Sequence, residues 1–305
     1  MPRSTLSAGP LLLGTVVWVA ICGCGGSDEA GPAAPPTTAT PRIVSLSPAL
    51  SRTLLDLGLG DLIVGRSAFC ASLPPGIPVV GNLYEVDYER LIRLDPTHVL
   101  VQPPSASGPD PQLERLGGRH GWTIAHWTIN SIDDIEQVIR DLPGVLYADR
   151  PDRQALAAGR AAELLNEIAA ALTPPDDGGW RGRTLLVSDT EPVWVFGRGT
   201  YLHDILAAMG GANAVDAQGW VQLSLEDVGR LDPEAIILVR DSAARDVDPL
   251  VAAGPLRKLD TTARRHHRIV VLWHPDAKLP SSGVVGVARE MRRVLEALAK
   301  ADGAP

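Results

Sequence analysis

Residues 89–101 read ERLIRLDPTHVLV, and residues 226–238 read EDVGRLDPEAIIL. Glutamate, arginine, leucine, aspartate and proline recur at the same spacing, 137 positions apart, and an apolar run follows each time. Proline disfavours helical backbone at the residue before it, so each Asp-Pro pair ends a short helix. The apolar run then predicts a buried strand. Two such units predict two similar α/β lobes with a cleft between them, although helix, Asp-Pro and strand also form a common connection that can recur by chance.

The composition is that of a globular protein. With 305 residues, of which 45% are hydrophobic and 21% charged, the chain is long enough for two ordinary domains with a sizeable core. Its formal net charge of −8 argues against binding to nucleic acid or to anionic lipid surfaces.

Strands and helices alternate along most of the chain, which predicts an N-terminal α/β lobe over residues 42–150 and a C-terminal one over 180–301. Residues 151–173 between them carry a helical stripe of apolar residues, and we expect one long connecting helix there. Residues 249–260 are also predicted to form a helix. The predicted fold class is therefore α/β, with two similar Rossmann-like lobes, one joining helix and an interlobe cleft that opens only modestly.

The N-terminus has the pattern of an export signal. Arg3 precedes an apolar run over residues 11–21 that is too short to span a bilayer. The following Ile-Cys-Gly-Cys resembles a bacterial lipobox, so we expect residues 1–23 to be removed and Cys24 to be lipidated. An ordinary secretory signal cut nearby is the alternative.

The residues after this signal predict a tether. Residues 24–41 are rich in Gly, Pro, Ala and Thr without an apolar period, which is typical of a flexible linker. We therefore expect the protein on the periplasmic or extracytoplasmic side, held to the membrane by its lipid. Cys70 is then the one remaining thiol, and we expect it to be packed in the core.

Several short motifs together resemble the helical-backbone class of ABC-transporter substrate-binding proteins, which includes the periplasmic cobalamin, ferric-siderophore and haem binders. The motifs are RIVSLSPA at 42–49, LGLGD at 57–61, DYERLIRLDP at 87–96, FGRGTYL at 196–202, GGAN at 210–213 and WVQLSLE at 220–226. Each motif is weak alone, but their order and spacing cover about residues 42–300.

The resemblance implies a monomeric receptor that delivers a metal chelate to the permease of an ABC importer, without catalysis and without a cofactor of its own. Cobalamin or another corrinoid leads, followed by ferric siderophore and haem. It also implies that one glutamate per lobe docks on the permease, and Glu89 and Glu226 occupy the matching positions. The alternative is that both are first-turn acids favoured by the helix dipole.

Aromatic residues near the expected cleft suit a large flat ligand, because ligands of α/β lobes sit beyond the carboxyl ends of the strands. Core packing is the alternative for each ring, and the resemblance adds weight to Phe69. The predicted ligand-binding residues are Phe69, Tyr84, Trp127, Trp194, Tyr201, Trp220 and Trp273.

Two other functions remain open. A direct zinc or manganese receptor would use cleft histidines, for which His126, His203 and His274 are the candidates, and one of them could also be an axial ligand of haem iron or cobalt. No close spacing such as His-x-His supports these roles. An enzyme is disfavoured, because the chain has no P-loop, no Gly-x-Ser-x-Gly and no His-Glu-x-x-His motif.

Overall fold

A computed structural model of the chain describes residues 40–82, 85–103, 108–175, 179–241 and 248–302. Thr38–Pro305 forms one compact unit. The predicted signal peptide, Cys24 and most of the predicted tether lie outside the described residues, as does Tyr84. None of the helices in the described ranges is long and apolar enough to cross a membrane.

The N-terminal lobe is a four-stranded parallel sheet in the order β2-β1-β3-β4. The strands are β1 (Ile43–Ser45), β2 (Ile63–Arg66), β3 (His98–Val101) and β4 (Thr123–His126). Helices α1 (Pro48–Asp56) and α4 (Ile132–Leu146) bury one face, and α2 (Tyr88–Leu94) and α3 (Pro111–His120) bury the other. The lobe is therefore a three-layer α/β unit.

The C-terminal lobe carries a mixed sheet in the order β10-β9-β5-β6-β8, with β7 paired to β5. The strands are β5 (Arg183–Thr190), β6 (Val193–Phe196), β7 (Ala212–Asn213), β8 (Trp220–Leu223), β9 (Ala235–Arg240) and β10 (Ile269–Trp273). The helices are α6 (Tyr201–Ala208), α7 (Leu225–Leu231), α8 (Pro249–Ala252), α9 (Thr262–Arg265) and α10 (Val284–Asp302). Strands β5, β9 and β10 run parallel, and β6 runs against β5.

Helix α5 (Pro151–Ala171) connects the lobes and packs against α4 and α10. Its buried stripe includes Ala157, Ala161, Leu164 and Ile168, which join one apolar core with residues of both lobes. The predicted fold class is confirmed: two α/β lobes are joined by one long helix.

The two repeated units share an unusual backbone feature. Asp95 and Asp232 end α2 and α7 in the left-handed conformation, with φ and ψ of 45° and 62° at the first and 40° and 65° at the second. Aspartate tolerates this region better than most residues, and the following proline prevents further helix. The repeat in sequence is thus a repeat in structure, down to the residue that turns each helix into its strand.

Two details differ from the sequence-based expectations. Residues 249–260 form α8 and then a separate 3₁₀ turn over Gly254–Lys258, because Gly254 has a φ of 53° and Pro255 follows it. Strands β7 and β8 and helix α9 were not expected, since each has only two to four residues and carries little periodicity.

The two aspartates should respond oppositely to glycine. Asp95→Gly relieves left-handed strain at an exposed residue, so we expect the free energy of unfolding to rise by about 0.5 kcal/mol. Asp232→Gly also removes the acceptor for Thr262 N and Oγ1, at 2.6 and 2.9 Å, and should lower it by about 1 kcal/mol. Urea denaturation of both variants measures these free energies of unfolding. Changes of the same sign in the two variants would contradict the prediction.

Candidate ligand-binding cleft

The carboxyl edges of the two sheets lead into one junction. Helix α1 starts at this edge of the N-terminal lobe, directly after β1, and residues 274–283 start at the same edge of the C-terminal lobe, directly after β10. These residues pack along α1, where Ser282 Oγ donates to Asp56 Oδ2 at 2.7 Å. Open α/β sheets bind ligands beyond this edge, so the space above the junction is the candidate cleft.

A buried polar network fixes the turn from β1 to α1. Ser47 caps α1, accepting from Leu50 N, and its hydroxyl donates to Gln102 Oε1 at 2.7 Å. Ser51 Oγ lies 2.9 Å from Ser45 Oγ and 3.1 Å from the Sγ of Cys70. Cys70 is fully buried, as expected of a packed thiol, and this burial raises the pKa of the thiol.

The loop after β2 presents an exposed aromatic ring from a well-anchored backbone. Phe69 is 60% exposed, although the adjacent Cys70 is fully buried. Phe69 N donates to Ser67 Oγ at 3.2 Å, and Ala68 N donates to Gly81 O at 2.8 Å. The Phe69 ring is therefore held out into solvent by a fixed backbone.

Two tryptophans share one face of the β6–β8 ladder. Trp194 pairs with Gln222 and Phe196 with Trp220, so the alternation of a strand places Trp194, Phe196 and Trp220 on the same side. Phe196 belongs to the core that α6 covers, and its ring centroid lies 4.2 Å from that of Trp220. Trp220 is 43% exposed on β8, at the end of the strand order.

This aromatic face lies next to the contact between α6 and the N-terminal lobe. Helix α6 packs on it, and the first turn of α6 reaches the N-terminal lobe. Tyr201 N donates to Asn130 O at 2.6 Å, and Asp204 Oδ2 accepts from Ile132 N at 3.0 Å. Phe69 in one lobe and Trp220 in the other are the exposed aromatic rings among the predicted ligand-binding residues that the structure describes.

Tyr201 does not line the cleft, which corrects the expectation from sequence. It is 1% exposed, and its hydroxyl donates to Ala277 O at 2.5 Å. Burial raises the pKa of Tyr201 well above its ordinary value. The first residue of α6 points inward because it closes the core between α6 and residues 274–283.

The remaining two tryptophans have structural contacts. Trp127 is half-buried against the N-terminal core, and its Nε1 donates to Asp141 Oδ2 at 2.9 Å. Trp273 pairs with Arg240 and follows the alternation of Ile269 and Val271, so it lies on the face opposite Trp194 and Trp220. Arg240 donates to Ser188 O and Ala252 O, which leaves its guanidinium engaged within the lobe.

The three candidate histidines are not brought together as a metal centre. His126 is exposed at the end of β4, His203 Nδ1 lies 3.3 Å from Asn213 Nδ2, and His274 Nδ1 accepts from Asp276 N at 3.1 Å. Across the described part of the chain, no group of three or more His, Cys, Asp or Glu side chains is placed to hold a metal ion.

Glu89 and Glu226 project from equivalent positions. Each lies in the first turn of its helix, and their side chains are 89% and 77% exposed. Neither caps its helix, because Asp87 caps α2 and Ser224 with Asp227 forms the capping box of α7. Each helix runs antiparallel to the strand that follows it, so both glutamates lie toward the carboxyl edges that border the cleft.

Sequence reasoning missed the contact of α1 with residues 274–283. Arg52 Nε lies 3.0 Å from Asp56 Oδ2, and the i,i+4 spacing on a helix predicts that pair. Ser282 and Asp276 are more than 200 positions away, and no local pattern connects them to α1.

No family profile matches the chain. The vitamin B12-binding protein of Salmonella paratyphi A is 32% identical over 206 residues, which cover 66% of this chain and 73% of that protein. The uncharacterized ABC transporter substrate-binding lipoprotein YvrC of Bacillus subtilis is 25% identical over 235 residues, with 75% and 71% coverage. The apo structure of the periplasmic haem-binding protein RhuT from Roseiflexus sp. RS-1 superposes with a TM-score of 0.65 at 24% identity, covering 86% of this chain and all of that one.

Proposed function

The chain belongs to the substrate-binding proteins of ABC importers, in the helical-backbone class, and on that premise we propose that it is a lipid-anchored receptor for a metal chelate, with cobalamin or a related corrinoid as the leading ligand. Its relatives are binding proteins and not enzymes. Haem and ferric siderophores are the other chelates in this proposal.

The observation that carries the ligand class is that each lobe has aromatic side chains that are not buried in its core. Phe69 is exposed on the N-terminal side, and Trp194 and Trp220 share a face on the C-terminal side. Rings on both sides suit a large planar chelate, which offers an extended face to each lobe. The 32% identity with a vitamin B12-binding protein supports a corrinoid as the leading ligand in this proposal. Tyr84, Trp127 and Trp273 stay secondary candidates.

Direct binding of zinc or manganese in the same cleft is the less well supported alternative function. It requires His126, His203 and His274 to converge, yet His203 and His274 each have a local partner within the C-terminal lobe. A chelate brings its own ligands for the metal, so it needs shape and stacking more than a protein donor set.

The docking part of the proposal rests on Glu89 and Glu226. Two exposed carboxylates at equivalent positions of two lobes give a permease one acidic contact per lobe. Charged groups at the rim of an interface favour encounter and fix register. Each glutamate pairs with an arginine at i+4: Arg93 lies 3.9 Å from Glu89, and Arg230 lies 2.6 Å from Glu226. Exposed ion pairs of this kind are weak, so each glutamate can exchange its arginine for a basic residue of a partner.

Membrane attachment through Cys24 completes the proposal. Its support is the lipobox-like Ile-Cys-Gly-Cys and the description of the Bacillus relative as a lipoprotein. A lipid keeps a receptor near its permease.

The ligand proposal predicts stabilisation of Thr38–Pro305 by one chelate. We expect cyanocobalamin, haem or a ferric hydroxamate to raise the melting temperature, with about 2.7 kcal/mol of stabilisation at a hundredfold excess over Kd. Phe69→Ala should weaken binding about tenfold, and Leu250→Ala, another exposed apolar residue on α8, should not. Stabilisation by Zn²⁺ or Mn²⁺ alone, or by none of these compounds, would overturn the chelate assignment.

The docking proposal predicts a split between binding and transport. In vesicles that contain the cognate permease, Glu89→Ala with Glu226→Ala should lower chelate uptake at least tenfold and leave the Kd within about twofold. Glu114→Ala is the matched control, because Glu114 is an exposed first-turn acid of α3. Full uptake by the double variant would contradict docking through these residues.

A further inference from the structure

Residues 274–283, here called the strap, are firmly attached to the C-terminal lobe. Ala277 N donates to His274 O at 2.9 Å, and Ala277 O accepts from the buried hydroxyl of Tyr201. Lys278 Nζ lies 3.2 Å from Asp189 Oδ1. Burial favours a higher pKa for Asp189, but hydrogen bonds from Ser188 and Lys278 hold that pKa below its ordinary value, so the carboxylate stays charged.

The other side of the strap is attached to α1 of the N-terminal lobe. Ser282 Oγ donates to Asp56 Oδ2 at 2.7 Å, and Ser282 N donates to Thr53 Oγ1 at 3.4 Å. Arg52 lies between two carboxylates, with Nε 3.0 Å from Asp56 and its guanidinium 3.6 Å from Asp276. Thr53, Ser282 and Asp276 are 2%, 1% and 8% exposed, whereas the side chains of Arg52 and Asp56 are 34% and 23% exposed.

Asp56 also meets the connecting helix. Arg160 Nε, on α5, donates to Asp56 O at 3.2 Å. A polar cavity of about 260 Å³ adjoins this point, and its walls come from α1, α5, the strap and the start of α10. Helix α1, helix α5 and the strap therefore meet at Asp56, whose carboxylate accepts from the strap and whose backbone carbonyl accepts from α5.

We propose that Arg52, Asp56, Asp276 and Ser282 form a latch that holds the two lobes at the separation required for binding. Separating the lobes would take the buried Ser282 and Asp276 away from their partners on α1, which opposes opening. The adjoining polar cavity can hydrate these groups when they part, so opening remains possible on a permease. By holding the lobes at this separation, the latch would also fix the positions of the two aromatic surfaces. Only the expected effect of the latch on ligand affinity rests on the proposed function.

The interlobe distance of the ligand-free protein tests the latch. Spin labels at Glu114→Cys on α3 and Gly229→Cys on α7 report the separation by double electron–electron resonance; both sites are exposed, and Cys70 is buried. Ser282→Ala and Asp56→Asn should each give a longer and broader distance distribution. Glu163→Gln is the control, because Glu163 pairs with Arg160 within α5 and forms no ion pair with the strap in the described part of the chain.

The affinity of the same variants supplies the second readout. Cyanocobalamin should bind the latch variants about tenfold more weakly, which corresponds to a closed population near one tenth, while the Glu163 variant keeps the parental Kd. Unchanged distance distributions in both latch variants would overturn the latch. Failure of the parent to bind cyanocobalamin counts against the corrinoid assignment alone, since the distance measurement needs no ligand. If Asp56→Asn does not fold, Ser282→Ala decides, because it removes a single hydroxyl.

Discussion

The packing of α5 between the lobes is the constraint on which the rest of the structure depends. Its buried residues are mostly small, with Ala157, Ala161 and Ala171 beside Leu164 and Ile168, so α4 and α10 can approach it closely. The result is one apolar core that continues from one lobe into the other. A stiff helix in a shared core leaves the lobes few ways to move, and the carboxyl edges of their sheets keep a common cleft.

Polar contacts at two other points reinforce this arrangement. The first turn of α6 joins the N-terminal lobe through Tyr201 N and Asp204, and the strap joins α1 through Ser282 and Asp56. A single connecting helix could bend on its own, but three separate junctions resist rotation about any one of them. These junctions therefore hold the carboxyl edges of the two sheets in a fixed relation.

Much of the fold was predictable, because it depends on local sequence patterns such as repeats and apolar periodicity. The Glu-to-Asp-Pro repeat predicted two lobes, and both Asp95 and Asp232 adopt the same left-handed turn. The apolar stripe of residues 151–173 predicted the connecting helix. The short strand β8 was not predicted, because the sequence Trp-Val-Gln-Leu is too short to show a clear strand pattern. The shared face of Trp194 and Trp220 was therefore not predicted either. Tyr201 was misplaced because a sequence shows that a ring follows a strand but not which way it points. The contact of Ser282 with Asp56 was not predictable, because no local sequence pattern connects residues so far apart in the chain.

In the proposed complex a planar chelate lies between the lobes, against Phe69 on one side and the Trp194–Trp220 face on the other. A crystal structure of Thr38–Pro305 with the chelate that stabilises it tests this most directly. We expect aromatic rings of both lobes to contact a single ligand in the cleft. A ligand bound on one lobe only, or against Trp273 on the opposite face of the C-terminal sheet, would contradict it.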